Sequence, residues 1–451
     1  MDHAVVIGAS MSGLLSAAAL HRRFARVTVL DRDRLPAVDA HRRGAGQSRH
    51  AHGLLATGHE VIDGLLPGIA AELVAQGAIR GDLQDQARHI HSGRRLARGH
   101  SGLTGLFVGR PLLEGQVRRR VSALPGVRVL SERLVTGLLS REGRVTGVRV
   151  LSERPVTGPP SRDGRVMGVR LSGGELIPAD LVVDASGRGS RTPQWLGELG
   201  FRPPQEEQVG IDVRYGTYEL RRRSDHLAGD LAVVIGATPQ APRAGVALAL
   251  EDERWIVTLA GYGEDPPLDR AGFAAYAATL PAPDLHHLIT AANPAGEPRA
   301  YRTPSAVRRR YERLSRFPEG LLVTGDAVCS FNPLYGQGMS VAAMHARALL
   351  DPDLSARGYF RRITQITDIP WEITVSGDLR MPGLGGGLTP RMRMAAAYLD
   401  RFHAAAVHDP ELTRRFLRVS NLYDPPAALL SPAALVRVLR SGVQRAVPVP
   451  V

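Results

Sequence analysis

The chain opens on an apolar run. Residues 4–7, "AVVI", carry no polar alternation, the pattern of a parallel strand buried on both faces. Residues 12–24, "SGLLSAAALHRRF", then repeat apolar positions at helical spacing, and "RVTVLD" returns to strand character and ends on Asp31. Together they predict a βαβ unit. Near residue 321 the run "LLVT" stops on Gly325-Asp326 and hands over to "AVCSFNPLYGQGM", after which "SVAAMHARALL" is again helical. Between these places the texture changes. Stretches such as "VGIDVRYGTYELRR" and "AGVALALEDERWIVTLAGYG" alternate apolar and polar residues, as antiparallel strands with one wet face do. Beyond residue 353 the pattern is helical, with Ser431-Pro432 placed as an N-cap followed by proline at the first helical position.

These patterns predict an α/β fold. A discontinuous Rossmann-type dinucleotide-binding domain covers residues 1–55, 98–196 and 316–352, an antiparallel substrate domain covers 56–97 and 197–315, and a helical region covers 353–451. Residues 127–147 recur as 148–168 with five differences in 21 positions. Two copies do not make a solenoid. The first copy is expected in the sheet, with Val135 near an adenine. The second carries Pro155, Pro159 and Pro160, which cannot donate ladder hydrogen bonds, and is expected at an edge or loop as an accommodated tandem duplication.

The turn after the first strand reads Gly8-x-Ser10-x-x-Gly13. Gly8 supplies the tight turn, Gly13 close helix–strand packing, and the helix N-terminus an anion site for a pyrophosphate. Ser10 stands where the fingerprint has its second glycine. Asp31 is placed to accept hydrogen bonds from a ribose. The second junction decides between dinucleotides. A carboxylate at Asp326 suits the ribityl hydroxyls that a flavin has and a nicotinamide lacks, and Gly336 and Gly338 let backbone N–H groups approach a flat ring. The helix that follows places its positive end toward that ring. FAD is therefore the expected cofactor.

On these motifs the sequence resembles the flavoprotein monooxygenases built like p-hydroxybenzoate hydroxylase and squalene epoxidase, over nearly the whole chain. Gly8 to Gly13 with Asp31 and Arg32 match their N-terminal motif, and "DLVVDASGRGS" with Asp184 matches their mid-chain motif. Gly325 to Met339, including Pro333, Gly336, Gln337, Gly338 and Met339, match their second Gly-Asp motif, and Arg110 in "GRPLLE" matches their helix-heading arginine. The likeness is nearest to bacterial polyketide-tailoring enzymes, polyether epoxidases included, which carry a stretch similar to "RRGAGQSRHAHGLL". The resemblance implies that Arg43 and Gln47 of that loop lie against the flavin. It also implies a reaction with NAD(P)H and O2 in which a C4a-hydroperoxide passes one oxygen to an alkene or arene. A reductase of the geranylgeranyl-reductase type would use the same motifs.

Composition narrows this picture. All 57 basic residues are arginine, and the chain has no lysine, whereas flavin halogenases of this fold depend on one. The net charge of +13 is spread over separated arginine triplets without interleaved aromatics, so nucleic-acid binding is not expected. The immediate strand at the N-terminus and the single cysteine, Cys329, fit a cytoplasmic protein. No second dinucleotide loop is visible, so the hydride donor binds transiently or a separate flavin reductase supplies electrons. The partner expected is a small molecule; the basic last helix is expected to pack on the body rather than on a membrane. His50 and His52 are weak candidates for acid–base work, and no metal is expected because no third ligand has suitable spacing. Core packing is expected for Tyr215, Tyr218, Trp255 and Tyr262.

Overall fold

The computed structural model describes residues 2–36, 40–42, 44, 46–142, 164–353, 355–384 and 388–443. Its first layer is a five-stranded parallel sheet of β1 (His3–Ile7), β2 (Arg26–Leu30), β3 (Val127–Leu130), β4 (Leu181–Asp184) and β5 (Leu321–Val323), in the order β5-β4-β1-β2-β3. The apolar run read at the N-terminus is its central strand, and Ala4, Val5 and Val6 are fully buried. Helices α1 (Met11–Leu20), α2 (Arg110–Ser122), α3 (Gly338–Ala348) and α4 (Ala356–Asp378) include the layers that cover it. Small residues bring α1 and α3 together: Ala17, Ala18, Ala343 and Ala346 are all inaccessible to solvent. The order of elements is that of a Rossmann-type fold with an antiparallel second sheet and a helical C-terminus.

That second sheet has eight strands, in the order Cys329–Ser330, Arg299–Arg309, Glu206–Arg221, Arg254–Tyr262, Arg243–Leu250, Ala232–Ile235, Ala87–His91 and Arg94–Arg95. All neighbours run antiparallel except Ala232–Ile235 with Ala87–His91. One face buries Trp255, Val257, Leu259 and Ala247 beneath helices Arg270–Ala278 and Asp284–Ala291. The other face borders a large cavity. Residues 56–97 divide between the layers: helices Ala56–Leu65 and Ile69–Ala75 pack into the core of the parallel sheet, whereas strands Ala87–His91 and Arg94–Arg95 extend the antiparallel one.

The C-terminal region is helical as expected, in α4, Pro390–Ala406, Pro410–Ser420 and Pro432–Val443. The last begins on Pro432, the position read as the first helical residue. It packs through Ala434 and Val438, one turn apart, and leaves Leu435, Val436 and Leu439 exposed. Among the described residues no helix is long and apolar enough to cross a membrane.

The repeat has a structural counterpart. Copy one supplies β3 and the strand Val135–Glu142; copy two enters the described structure at Gly164, where strand Gly164–Leu171 begins. The prolines of copy two lie outside the described residues. The two strands pair antiparallel with Glu142 opposite Gly164 and Arg141 opposite Arg165. Residues 143–163 thus join two paired strand ends with a segment one repeat long. Excising them places Glu-Gly at the centre of a two-residue hairpin flanked by the Arg141–Arg165 pair. A variant lacking residues 143–163 is expected to be soluble and to melt no lower than the full chain by circular dichroism. An insoluble or early-melting variant would show that the second copy supports the sheet.

Candidate functional site

The parallel sheet and the antiparallel sheet enclose a cavity of about 2220 Å³, lined from both layers and from α4 and its successors. Its first wall is the turn after β1. Gly8 has φ +102°, and a Cβ there would lie 2.6 Å from the Ala185 carbonyl oxygen. A Cβ on Gly13 would lie 1.8 Å from the oxygen of Gly8, so α1 meets the strand end only because that side chain is missing. Gly8 and Ser10 line the cavity, and Gly13 packs behind them. The substitution at Ser10 has a use. Its hydroxyl donates to Glu114 (3.0 Å) and accepts from the Arg110 guanidinium (2.9 Å), tying the turn to α2.

Glu114 also pairs with Arg110 at 2.8 Å and Arg42 at 3.1 Å, all with little solvent exposure. Burial opposes ionisation of Glu114, but Arg110 and Arg42 outweigh it and hold the carboxyl below its usual value. Arg42 closes the network onto Asp31 at 2.9 Å. Asp31 in turn accepts from the backbone N–H of Ala9 (2.7 Å) and Asp33 (2.9 Å). A carboxylate has about four acceptor sites, so roughly one remains for a ligand hydroxyl. Arg42, Arg110 and Asp31 all line the cavity, as do Arg32 and Val135; the Arg32 side chain is mostly exposed. Arg43 lies outside the described residues, and the guanidinium found in this wall is that of its neighbour Arg42.

Gln47, in the short helix Gly46–Arg49, and both histidines of the same loop border the cavity. His50 hydrogen-bonds Thr217 through Nδ1 at 2.8 Å and meets Tyr215 edge-on at 4.9 Å. Burial, then the positive charges of His41 and Arg49, push its value down to about 4. His52 donates to the His50 carbonyl at 2.8 Å and is pushed to about 3 by burial and by Arg110. Both rings are neutral at pH 7. Among the described residues no cluster of His, Cys, Asp and Glu is arranged to hold a metal ion.

Asp184 stands away from the cavity wall. It is fully buried, and its oxygens accept from the hydroxyls of Ser186, Ser190 and Thr192 and the N–H of Ser186. It fixes the loop whose other residues, Ser186 to Gly189, do reach the cavity. Arg188 in that loop donates to Ser305 (2.7 Å) and was not singled out from sequence. Gly325 (φ +61°) is also behind the wall, where a Cβ would lie 2.4 Å from Ser12 Oγ. Asp326 is on it. Its carboxylate has no hydrogen-bond or ion-pair partner among the described residues, and burial raises its value against the pull of Arg110 and Arg188. Ser12 Oγ nearby is buried without a partner as well. Cys329 is a buried thiol, kept protonated by that burial.

The loop from Ser330 to Met339 completes this end of the cavity with Pro333, Gly336, Gln337, Gly338 and Met339. Gln337 is buried and accepts from Thr374 of α4 (3.2 Å). Asn332 donates to Asp378 (2.7 Å), which also accepts from Tyr262 (2.9 Å) and, more loosely, Tyr335 (3.4 Å). Tyr335 reaches this place over Gly377, where a Cβ would fall 1.9 Å from its hydroxyl. Tyr218 and Trp255 are core residues as expected. Tyr215 is buried as expected, in a small cluster with Ile211, Val213 and Ala260, while also bordering the cavity; Tyr262 is only half-buried, and strand alternation turns it toward the cavity.

A dinucleotide fits these residues: two side-chain-free turns, two guanidiniums beside a helix N-terminus, and an unpaired carboxylate with an unpartnered hydroxyl at the second turn. Comparison with known proteins adds kinship. Protein Rv3254 of Mycobacterium tuberculosis is 36% identical over 460 residues, covering 97% of this chain and 94% of its own. The chain belongs to the family of that protein. No family model matches it. Its fold is that of the flavin-dependent brominase Bmp2, with TM-score 0.66, 14% identity and 98% of each chain covered. PqsL, a probable FAD-dependent monooxygenase from Pseudomonas aeruginosa, superposes with TM-score 0.57 at 16% identity, over 93% of this chain and 99% of its own.

Asp378 is the strained member of the site. It is fully buried at the C-terminal end of α4, where the helix dipole disfavours an anion, and its Oδ2 has no partner. Burial raises its value from 3.8 to about 6 against the three donors. Between those values the folded protein holds a proton that the unfolded chain has released, so stability falls as pH rises through that window. Asp378→Asn, neutral at every pH, is expected to raise the thermal midpoint at pH 7, by roughly 3 kcal/mol of stability at full ionisation. The advantage should vanish near pH 4. An equal advantage at both pH values would show that ionisation is not its cause.

Proposed function

We propose that this protein is an FAD-dependent monooxygenase that uses NAD(P)H and O2 to epoxidise or hydroxylate a largely apolar secondary metabolite of polyketide or terpenoid type. The carrying observation is that one cavity joins the unpaired Asp326 and its glycine loop to a sheet face of small apolar residues, among them Ala244, Val246, Ala260 and Val234. Gly8, Ser10, Arg42 and Arg110 would hold the pyrophosphate of FAD, Asp31 the adenosine ribose and Asp326 the ribityl hydroxyls. When bound, the flavin supplies electron transfer and oxygen activation. The chain's own part is to orient and to keep dry. The loop Ser330–Met339 and the N-terminus of α3 line the cavity and would supply backbone N–H groups to a bound ring, where they favour negative charge. The antiparallel sheet closes the opposite side and excludes water. Tyr262 and Tyr335 stay protonated, since burial raises both, and spend their hydroxyl hydrogens on Asp378 at the chamber wall.

The protein should purify yellow and release all its flavin on acid precipitation. Asp326→Ala is expected to weaken FAD binding by roughly 1.5–3 kcal/mol, the worth of hydrogen bonds to a charged group. Unchanged affinity would misplace the ribityl contact. Under ¹⁸O2, one labelled atom should enter the product and the other water. A product that gains two hydrogens and no label would instead make the protein a reductase.

A further inference from the structure

The antiparallel sheet gives the cavity a direction. Alternate residues of neighbouring strands face it in turn: Tyr262 and Ala260, then Ala244 and Val246, then Val234, then His89 and His91. From the strand of Tyr262 to that of His91 is three steps across the sheet, about 14 Å at the usual spacing. Between Tyr262 and the far end the sheet positions on this face are small or apolar apart from Thr258, and at the far end three histidines gather. His91 lies 6.3 Å from His89 and 5.3 Å from His403, with Phe416 edge-on at 4.7 Å. All three histidines line the cavity.

Their protons can be placed by elimination. The hairpin turn Ser92-Gly93, with φ of +50° and +70°, tips Ser92 onto the helix Pro390–Ala406. There the Ser92 hydroxyl donates its one proton to Asp400 (3.1 Å), a carboxylate held by Arg380. At the contact with His403 Nδ1 (3.2 Å) the serine oxygen must therefore accept, so Nδ1 carries the hydrogen. Burial keeps the His403 ring neutral, its value pushed down to about 4. Its Nε2 is then a bare acceptor, buried and without a partner, on a residue 4% exposed. His89 repeats the logic: Nε2 donates to the Leu83 carbonyl (2.8 Å), which leaves Nδ1 as an acceptor. His91 makes ring contacts but no hydrogen bond among the described residues. A buried acceptor left unmet is costly, and a ligand that brings a donor recovers that cost.

We propose that His403, His91 and His89 form a distal subsite that binds a neutral hydroxyl-bearing end of an elongated apolar substrate, about 14 Å across the sheet from the strand of Tyr262. This rests on the reading of the cavity as a substrate chamber. An ammonium end would also donate, but Arg94 and Arg380 act on His403, and Arg380 pairs with the carboxylate beside it, Asp400 (3.1 Å), which leaves no free anion there among the described residues to receive a cation. A carboxylate or an ether brings no donor for the bare imidazole nitrogens.

The test is calorimetric titration of the FAD-loaded protein with 1-decanol and with methyl decyl ether, which match in apolar length and differ in the donor. The alcohol is expected to bind roughly tenfold tighter, the worth of one hydrogen bond to an otherwise unsatisfied buried acceptor. His403→Phe and, separately, His91→Phe should bring the ratio toward one while the ether still binds. Equal affinities in the unaltered protein, no binding of the alcohol, or a preference that survives both substitutions would overturn the proposal. Should His403→Phe not fold, the unaltered protein and His91→Phe still decide. The readout needs no turnover. Alcohol preference without ¹⁸O incorporation would sink only the monooxygenase reading, and ¹⁸O incorporation without the preference only the distal subsite.

Discussion

Two turns almost 320 residues apart in the chain must touch. The turn after β1 and the turn after β5 meet where Gly325 presses on Ser12, with no room for a Cβ on the former. That contact brings the N-termini of α1 and α3 to the same edge of the sheet, and the close packing of the two helices through alanine and serine follows from it. Everything ligand-facing on this side inherits its position from the contact, including Asp326, the glycine loop and the cradle around Ser10. An added methyl group at Gly13 or Gly325 would separate elements that the site needs in register.

Charge is the second constraint. Arg42, Arg110, Glu114 and Asp31 form a buried network at the mouth of the first turn. Each of the four is hydrogen-bonded, which is the condition under which buried charge is tolerated, and Arg118, 3.9 Å from Glu114, adds a third cation at the rim. An arriving pyrophosphate would add negative charge beside two guanidiniums already oriented for it. Beside the second glycine turn the balance is missing, since Asp378 and Asp326 are both raised by burial and neither has an ion-pair partner among the described residues.

The βαβ unit, the second Gly-Asp junction, the antiparallel texture of residues 200–312 and the helical C-terminus were legible in the sequence. Each is a local pattern: burial on two faces, helical period, strand alternation, glycine where a backbone must come close. Asp184 shows the limit of that reading. Its motif places it after a strand, but whether the carboxylate faces a ligand or three hydroxyls depends on how the next loop folds back. Tyr262 is similar. Strand alternation allows either face, and only the sheet's neighbours determine which face is covered by helices and which borders a cavity.

The sequence by itself determined the covalent logic of the cradle: which turns lack side chains, which strands end on a carboxylate, and that no lysine is present to act. It could not pair residues distant in the chain. Arg42 with Glu114, Tyr262 with Asp378 and Ser92 with His403 lie 72, 116 and 311 positions apart. Such pairings leave no periodic trace, because hydrogen bonding acts over about 3 Å while pattern is read over neighbouring residues. The tertiary fold decided which polar atoms were satisfied and which were left open to the cavity.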